Sequence, residues 1–104
     1  MHFRRYKKTE GKAVKKGKHP KLIVEETKDD FGFMGLTKSP KRGNHNNIPL
    51  SKNPRAGNKE KAYIRDELRY DKKRNFSEKL KDYDITPEDE ERILKYLERH
   101  KKKK

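Results

Sequence analysis

Apolar positions in this chain gather in four short groups: Leu22 to Val24, Phe31 to Leu36, Tyr63 to Ile64, and Ile93 to Leu97. Lys21 to Glu25 (KLIVE) has a β-branched apolar centre and reads as a strand. Pro20 before it suits a strand start, where no ladder donor is needed. Thr27 to Asp30 is a polar turn. Phe31 to Leu36 (FGFMGL) is a second strand, and its two glycines mark a bend or a close backbone approach. The two strands predict a hairpin. Thr37 to Asn47 (TKSPKRGNHNN) and Ser51 to Glu60 are polar loops on either side of a brief strand at Ile48 to Leu50. Lys61 to Arg65 (KAYIR) reads as a further strand around Tyr63 and Ile64. Asp66 to Asn75 is charged and ambiguous. Phe76, Leu80 and Tyr83 share one face of a short helix or a strand–turn.

The last element is the best specified. Thr86 is a good N-cap, Pro87 suits the first helical position, and Asp89 completes a T-x-x-D pattern. Acids at Glu88 to Glu91 and bases from Arg99 onward match the helix dipole. Ile93, Leu94 and Leu97, flanked by Tyr96, form a stripe that predicts packing on the sheet. The expected helix runs from Thr86 to about Lys101. The fold class is therefore mainly β with a C-terminal helix. One domain fits 104 residues, divided into a basic arm (1–16), a folded unit (17–83), and a helix with a basic tail (84–104). So small a core would gain from pairing with a second copy.

Charge changes the picture more than length does. With 31 basic and 17 acidic side chains the net charge is +14, which points to polyanionic partners. RNA is the leading expectation, with an acidic protein next. From Met1 to Lys18 the only acid is Glu10. Phe3 and Tyr6 lie among Arg4, Arg5, Lys7 and Lys8, an arrangement that suits base stacking beside phosphates or ordinary packing of a first strand. No long apolar run is present, so no membrane span is expected. No secretory pattern follows the basic start, and with no cysteine a cytoplasmic location is expected.

Candidate chemistry is sparse. His2, His19, His45 and His100 are dispersed without ligand spacing, so no metal is expected, and no nucleotide fingerprint implies a cofactor. Adjacent acids such as Asp66 and Glu67 point to opposite faces of a strand and make poor dyads. Three segments stand out together: GKHPKLIV (Gly17 to Val24), GLTKS (Gly35 to Ser39), and the stretch from KAYIRDELRYDKK to ITPEDEERILKYLE. In this order, from Gly17 to His100, they resemble the MazF/PemK family of toxin endoribonucleases. His19 stands where the family has arginine, and the family's G-D-I/V first strand has no recognisable counterpart.

The resemblance implies a small SH3-like β-barrel, often dimeric, that cleaves single-stranded RNA without a metal and is held by an acidic antitoxin. It maps the family's arginine and threonine onto His19 and Thr37. Metal-free RNA cleavage needs a base for the ribose 2′-hydroxyl, an acid for the leaving oxygen, and cations for the phosphorane. His19 is the candidate acid or base, with Thr37 beside it. Lys18, Lys38, Ser39, Lys41, Arg42 and Arg65 are the candidate RNA contacts. A non-catalytic nucleic-acid-binding module of the same fold, and an adaptor for an acidic protein, are the alternatives.

Overall fold

A computed structural model describes residues 1–7 and 19–102. The predicted hairpin is its centre. β2 (Lys21–Glu26) and β3 (Asp30–Thr37) pair antiparallel, with Lys21 opposite Gly35 and Ile23 opposite Phe33. A bulge between Ile23 and Glu25 breaks the register. The turn is closed by Thr27, whose amide and hydroxyl donate to the Asp30 carbonyl while its Oγ1 accepts the Asp30 amide.

β1 (His2–Arg4) joins the outer edge of β2, with Phe3 opposite Leu22 and Arg4 opposite Lys21. The start of the expected arm is thus a core strand, and Phe3 is fully buried. Of the two readings open for the Phe3–Tyr6 stretch, packing is the one realised, because Phe3 points to the helix-covered face of the sheet. Residues 8–16 of the arm lie outside the described residues.

The other edge of β3 is shared by two strands. β8 (Arg69–Lys72) pairs with its first half and β7 (Tyr63–Ile64) with its last two residues. β6 (Ile48–Pro49) adds to β7, giving the order β1-β2-β3-β7-β6 with β8 beside β3. β4 (Lys41–Arg42) and β5 (His45–Asn46) make a separate small hairpin, turned at Gly43 with its positive φ. The main sheet is open in its strand pairing, with β1 and β6 at its ends. A 3-10 turn over Lys73–Asn75 leads into Phe76–Tyr83, where the strand–turn reading is the one realised, with bridges at Phe76 and Tyr83. The segment runs along β1 through Ser77 N–H to the Arg5 carbonyl (2.7 Å) and Leu80 N–H to the Phe3 carbonyl (2.8 Å).

Two apolar clusters form, one on each face of the β2–β3 hairpin, because neighbouring residues of a strand point to opposite faces. Phe3, Leu22, Met34, Ile48, Ile64 and Ile93 make the first. Ile23, Phe31, Phe33 and Phe76 make the second, with Tyr6 packed against it. Arg4 lies over the Phe31 ring at 4.8 Å and Lys73 at 5.5 Å, so the interleaved cations cap aromatic faces here.

α1 (Pro87–Lys102) covers the first cluster. Thr86 Oγ1 accepts the Asp89 amide at 3.1 Å, the cap expected from the sequence. The Asp89 carboxylate does not close the capping box. It is buried and accepts from the Ser51 amide (2.9 Å) and from Arg92 (3.1 Å), tying the 51–60 loop to the helix. The apolar stripe differs from expectation at one position. Ile93 is buried and Leu97 and Tyr96 are partly so, but Leu94 is 50% exposed. Leu94 directly follows Ile93, and a helix turns about 100° per residue, so the two cannot share a narrow stripe. No helix of the described residues is long and apolar enough to cross a membrane.

Candidate nucleic-acid interface

The β2–β3 ladder continues past its last pair, since the Leu36 amide donates to the Pro20 carbonyl at 3.0 Å. With Lys21 opposite Gly35, that continuation sets exposed His19 across from Thr37. On the other side Thr37 pairs with Tyr63. One transverse row of the sheet therefore runs His19, Thr37, Tyr63. Two residues along, past the Pro20–Leu36–Ile64 row and on the same face, a row runs Arg4, Lys21, Gly35, Arg65, the last held by its amide on the Gly35 carbonyl at 2.8 Å. These positions alternate with buried Leu22, Met34 and Ile64, so they lie on the face away from the helix.

Thr37 Oγ1 accepts the Ser39 amide at 3.2 Å, which shapes the turn into the loop. Gly35 is where a close approach occurs. A Cβ there would stand 3.3 Å from Cδ of Arg65 and 3.7 Å from its Nε, so the arginine stem lies across the bare backbone. Gly32 serves a parallel purpose farther along β3, where the Tyr70 ring lies over the backbone; a Cβ there would meet it at 2.9 Å.

Lys21 is half-buried beside this stem. Burial foremost, then the positive charges of Arg65 and Arg69, hold its amine below the usual lysine value. Among the described residues no carboxylate lies within ion-pair distance of Lys21, Arg65 or Arg69.

The loop cations are placed differently. Lys38 pairs with Glu60 at 3.4 Å and Arg42 with Glu67 at 3.2 Å, while His45 lies 3.8 Å from Asp66. The 37–47 segment carries no acid of its own; the acids come from elsewhere in the chain. A shallow pocket forms there, lined by Arg42, Gly43, His45, Asp66 and Glu67, with both charge signs on its walls. Lys41 is exposed on β4, and Ser39 gives its carbonyl to Asn47 at 2.9 Å. Lys18 lies outside the described residues. His19, Thr37 and Arg65 thus share one face, whereas Lys38 and Arg42 are partnered by acids.

Lys21 and Arg69 were missed in the sequence. A lysine at the start of a strand reads as solvated, and Arg69 sits in a stretch too charged to assign. The available signal was alternation: Lys21 shares the parity of Ile23, and the second glycine of FGFMGL marks the close approach beside it. Among the described residues no group of three or more histidines and acids is arranged to hold a metal ion. No protein-family model matches the chain, and no match was found among curated proteins or solved structures.

Proposed function

We propose that this protein binds single-stranded RNA across the His19–Thr37–Tyr63 row and cleaves it without a metal, as a divergent endoribonuclease of the MazF/PemK type. The observation that carries the reading is the juxtaposition of His19 and Thr37 at the open end of the hairpin, beside a row of cations with no carboxylate partner. In this reading the fold is a small SH3-like barrel. The run of Asn75–Leu80 along the free edge of β1 supports it, because it links the segment after β8 back to the first strand.

The chemistry follows from the groups present. Cleavage proceeds by attack of the ribose 2′-oxygen on phosphorus, with departure of the 5′-oxygen. An imidazole can take or give a proton near neutral pH, so His19 serves as base for the 2′-hydroxyl or acid for the leaving oxygen. Thr37 and Ser39 donate to the non-bridging oxygens. Arg65 offsets the charge that builds on the phosphorane. An acidic antitoxin would compete with RNA for the same cations.

Replacing His19 with alanine tests this. Cleavage of a labelled single-stranded RNA in chelator should fall about 10²–10⁴-fold if the imidazole transfers a proton, with RNA affinity little changed. Wild-type protein that binds varied RNAs and never cuts them would leave the second reading, a non-catalytic module. The engagement of Thr37 Oγ1 by the Ser39 amide favours that reading, since it gives the hydroxyl a structural task.

A further inference from the structure

The row beside His19 and Thr37 holds an unusual arrangement of charge. Lys21 is half-buried between Arg4 on one neighbouring strand and Gly35 on the other, and the Arg65 stem crosses Gly35 towards it. Arg69 comes from β8, where it pairs with Phe33 two residues before Gly35 on the same face. Three cations from three segments thus share one face around Lys21, and Arg65 is the one that lies across the glycine. Arg4 is turned away from them: its Nε donates to His2 and its Nη1 to the Ser77 carbonyl.

Six cations elsewhere on the molecule find acids. Lys38, Arg42, Lys72, Lys73, Arg92 and Lys95 each lie within 4 Å of a carboxylate. A half-buried lysine facing two guanidiniums costs folding free energy through lost hydration and mutual repulsion. A bound dianion or diester would relieve both. Two arginine forks and an ammonium on one face match the oxygens of a phosphate, since planar guanidiniums engage such groups bidentately.

We propose that Lys21, Arg65 and Arg69 form a phosphate seat beside Gly35, which holds the backbone of single-stranded RNA two residues along the strands from the His19–Thr37 pair. The proposal deepens the RNA reading and rests on it. It assigns Lys21 and Arg69 to binding and makes Gly35 the residue that positions Arg65. The seat recognises phosphate oxygens, whether from a diester in RNA or from the free ion.

The test compares wild type with Lys21→Met, Lys21→Arg, Gly35→Ala and Lys95→Met. Lys95 carries the same charge but pairs with Glu91 on the helix. Binding of a labelled mixed-sequence ten-nucleotide RNA is read by fluorescence anisotropy across a salt series, and folding by thermal melting. Lys21→Met should weaken binding about tenfold at moderate salt and make the slope of log affinity against log salt shallower by about 0.7, one phosphate contact. Its melting temperature should hold or rise, since an unpaired cation has gone; a lysine with a structural role would do the reverse. Lys21→Arg should keep most of the affinity, and Lys95→Met should stay within about twofold of wild type. Gly35→Ala pushes only the flexible Arg65 stem and should weaken binding without lowering the melting temperature, which keeps the test decisive if Lys21→Met misfolds.

Binding by Lys21→Met or Gly35→Ala within about twofold of wild type would overturn the seat while leaving the RNA reading intact. So would an equal loss in Lys95→Met. If wild type binds no RNA, the RNA reading fails and inorganic phosphate decides the seat. A melting temperature raised by phosphate over chloride at equal ionic strength, and no longer raised in Lys21→Met, sustains the seat for the free ion; no such rise overturns it. Binding of poly-glutamate with neither RNA nor phosphate overturns it in favour of an acidic protein partner.

Discussion

His2 shows how closely charge and packing are joined in this chain. Its ring meets the edge of Phe31, and its Nε2 accepts a hydrogen bond from Arg4 Nε at 2.8 Å. That bond requires the neutral ring. Burial foremost, then the charges of Arg4 and Lys79, hold the imidazole below its ordinary value of 6.5. As pH falls, the unfolded chain therefore takes up its proton before the folded one does. The stability conferred by neutral His2 is whole above pH 6.5 and is lost as pH falls through 6.5 towards the folded value. His2→Gln can still offer Arg4 an acceptor but has no such proton. Melting followed from pH 7.5 to 5.5 should show wild type losing more stability than the variant. Parallel curves would mean that His2 is not the group concerned.

Among elements, the helix and the hairpin were legible because their signals are local. Thr86 and Pro87 announce a helix start, and KLIVE and FGFMGL flank an obvious turn. β8 was not legible, because RYDK is stabilised by distant partners, one on each face: the Tyr6 hydroxyl on Asp71 and the Tyr70 hydroxyl on Glu25. Phe76 and Tyr83 left a short helix and a strand–turn both open, and the strand–turn is the one found. They fit one helical face, yet Phe76 packs in the second cluster and Tyr83 against the first, so the segment between them crosses from one face of the hairpin to the other. Within the helix, the neighbours Ile93 and Leu94 should separate cleanly. Ile93→Ala removes a fully buried side chain and should cost about 2–5 kcal/mol. Leu94→Ala should stay within about 0.5 kcal/mol, because half of that side chain is already in water. Urea denaturation of both variants checks this, and equal losses would mean that Leu94 is covered in solution. For the candidate site, the meeting of His19 and Thr37 followed from hairpin topology alone. The acids facing the 37–47 loop did not, since Glu60, Asp66 and Glu67 reach it only through the tertiary fold.

At the scale of the whole molecule, the net charge of +14 overstates the cations free to bind. Several are already paired with acids, as at Lys38 and Arg42. Binding of single-stranded RNA should still release counterions from the unpaired face. Four to five phosphate contacts, at roughly 0.7 each, give a slope of log affinity against log salt of about −3. Titration between low and physiological salt measures it directly. A slope near zero would remove RNA as the partner.

The first cluster joins Phe3 to Ile93 through Leu22, Met34 and Ile64. Its members come from opposite ends of the sequence, so no shorter stretch of chain can close it. During synthesis, β1 leaves the ribosome first and then waits for nearly all the remaining residues before its final covering element emerges. The β2–β3 hairpin can form early, but one of its faces stays bare until α1 docks. Folding is thus expected to finish only after translation has passed the helix, with a slow, non-local final step. Until then the nascent chain is an open polycation.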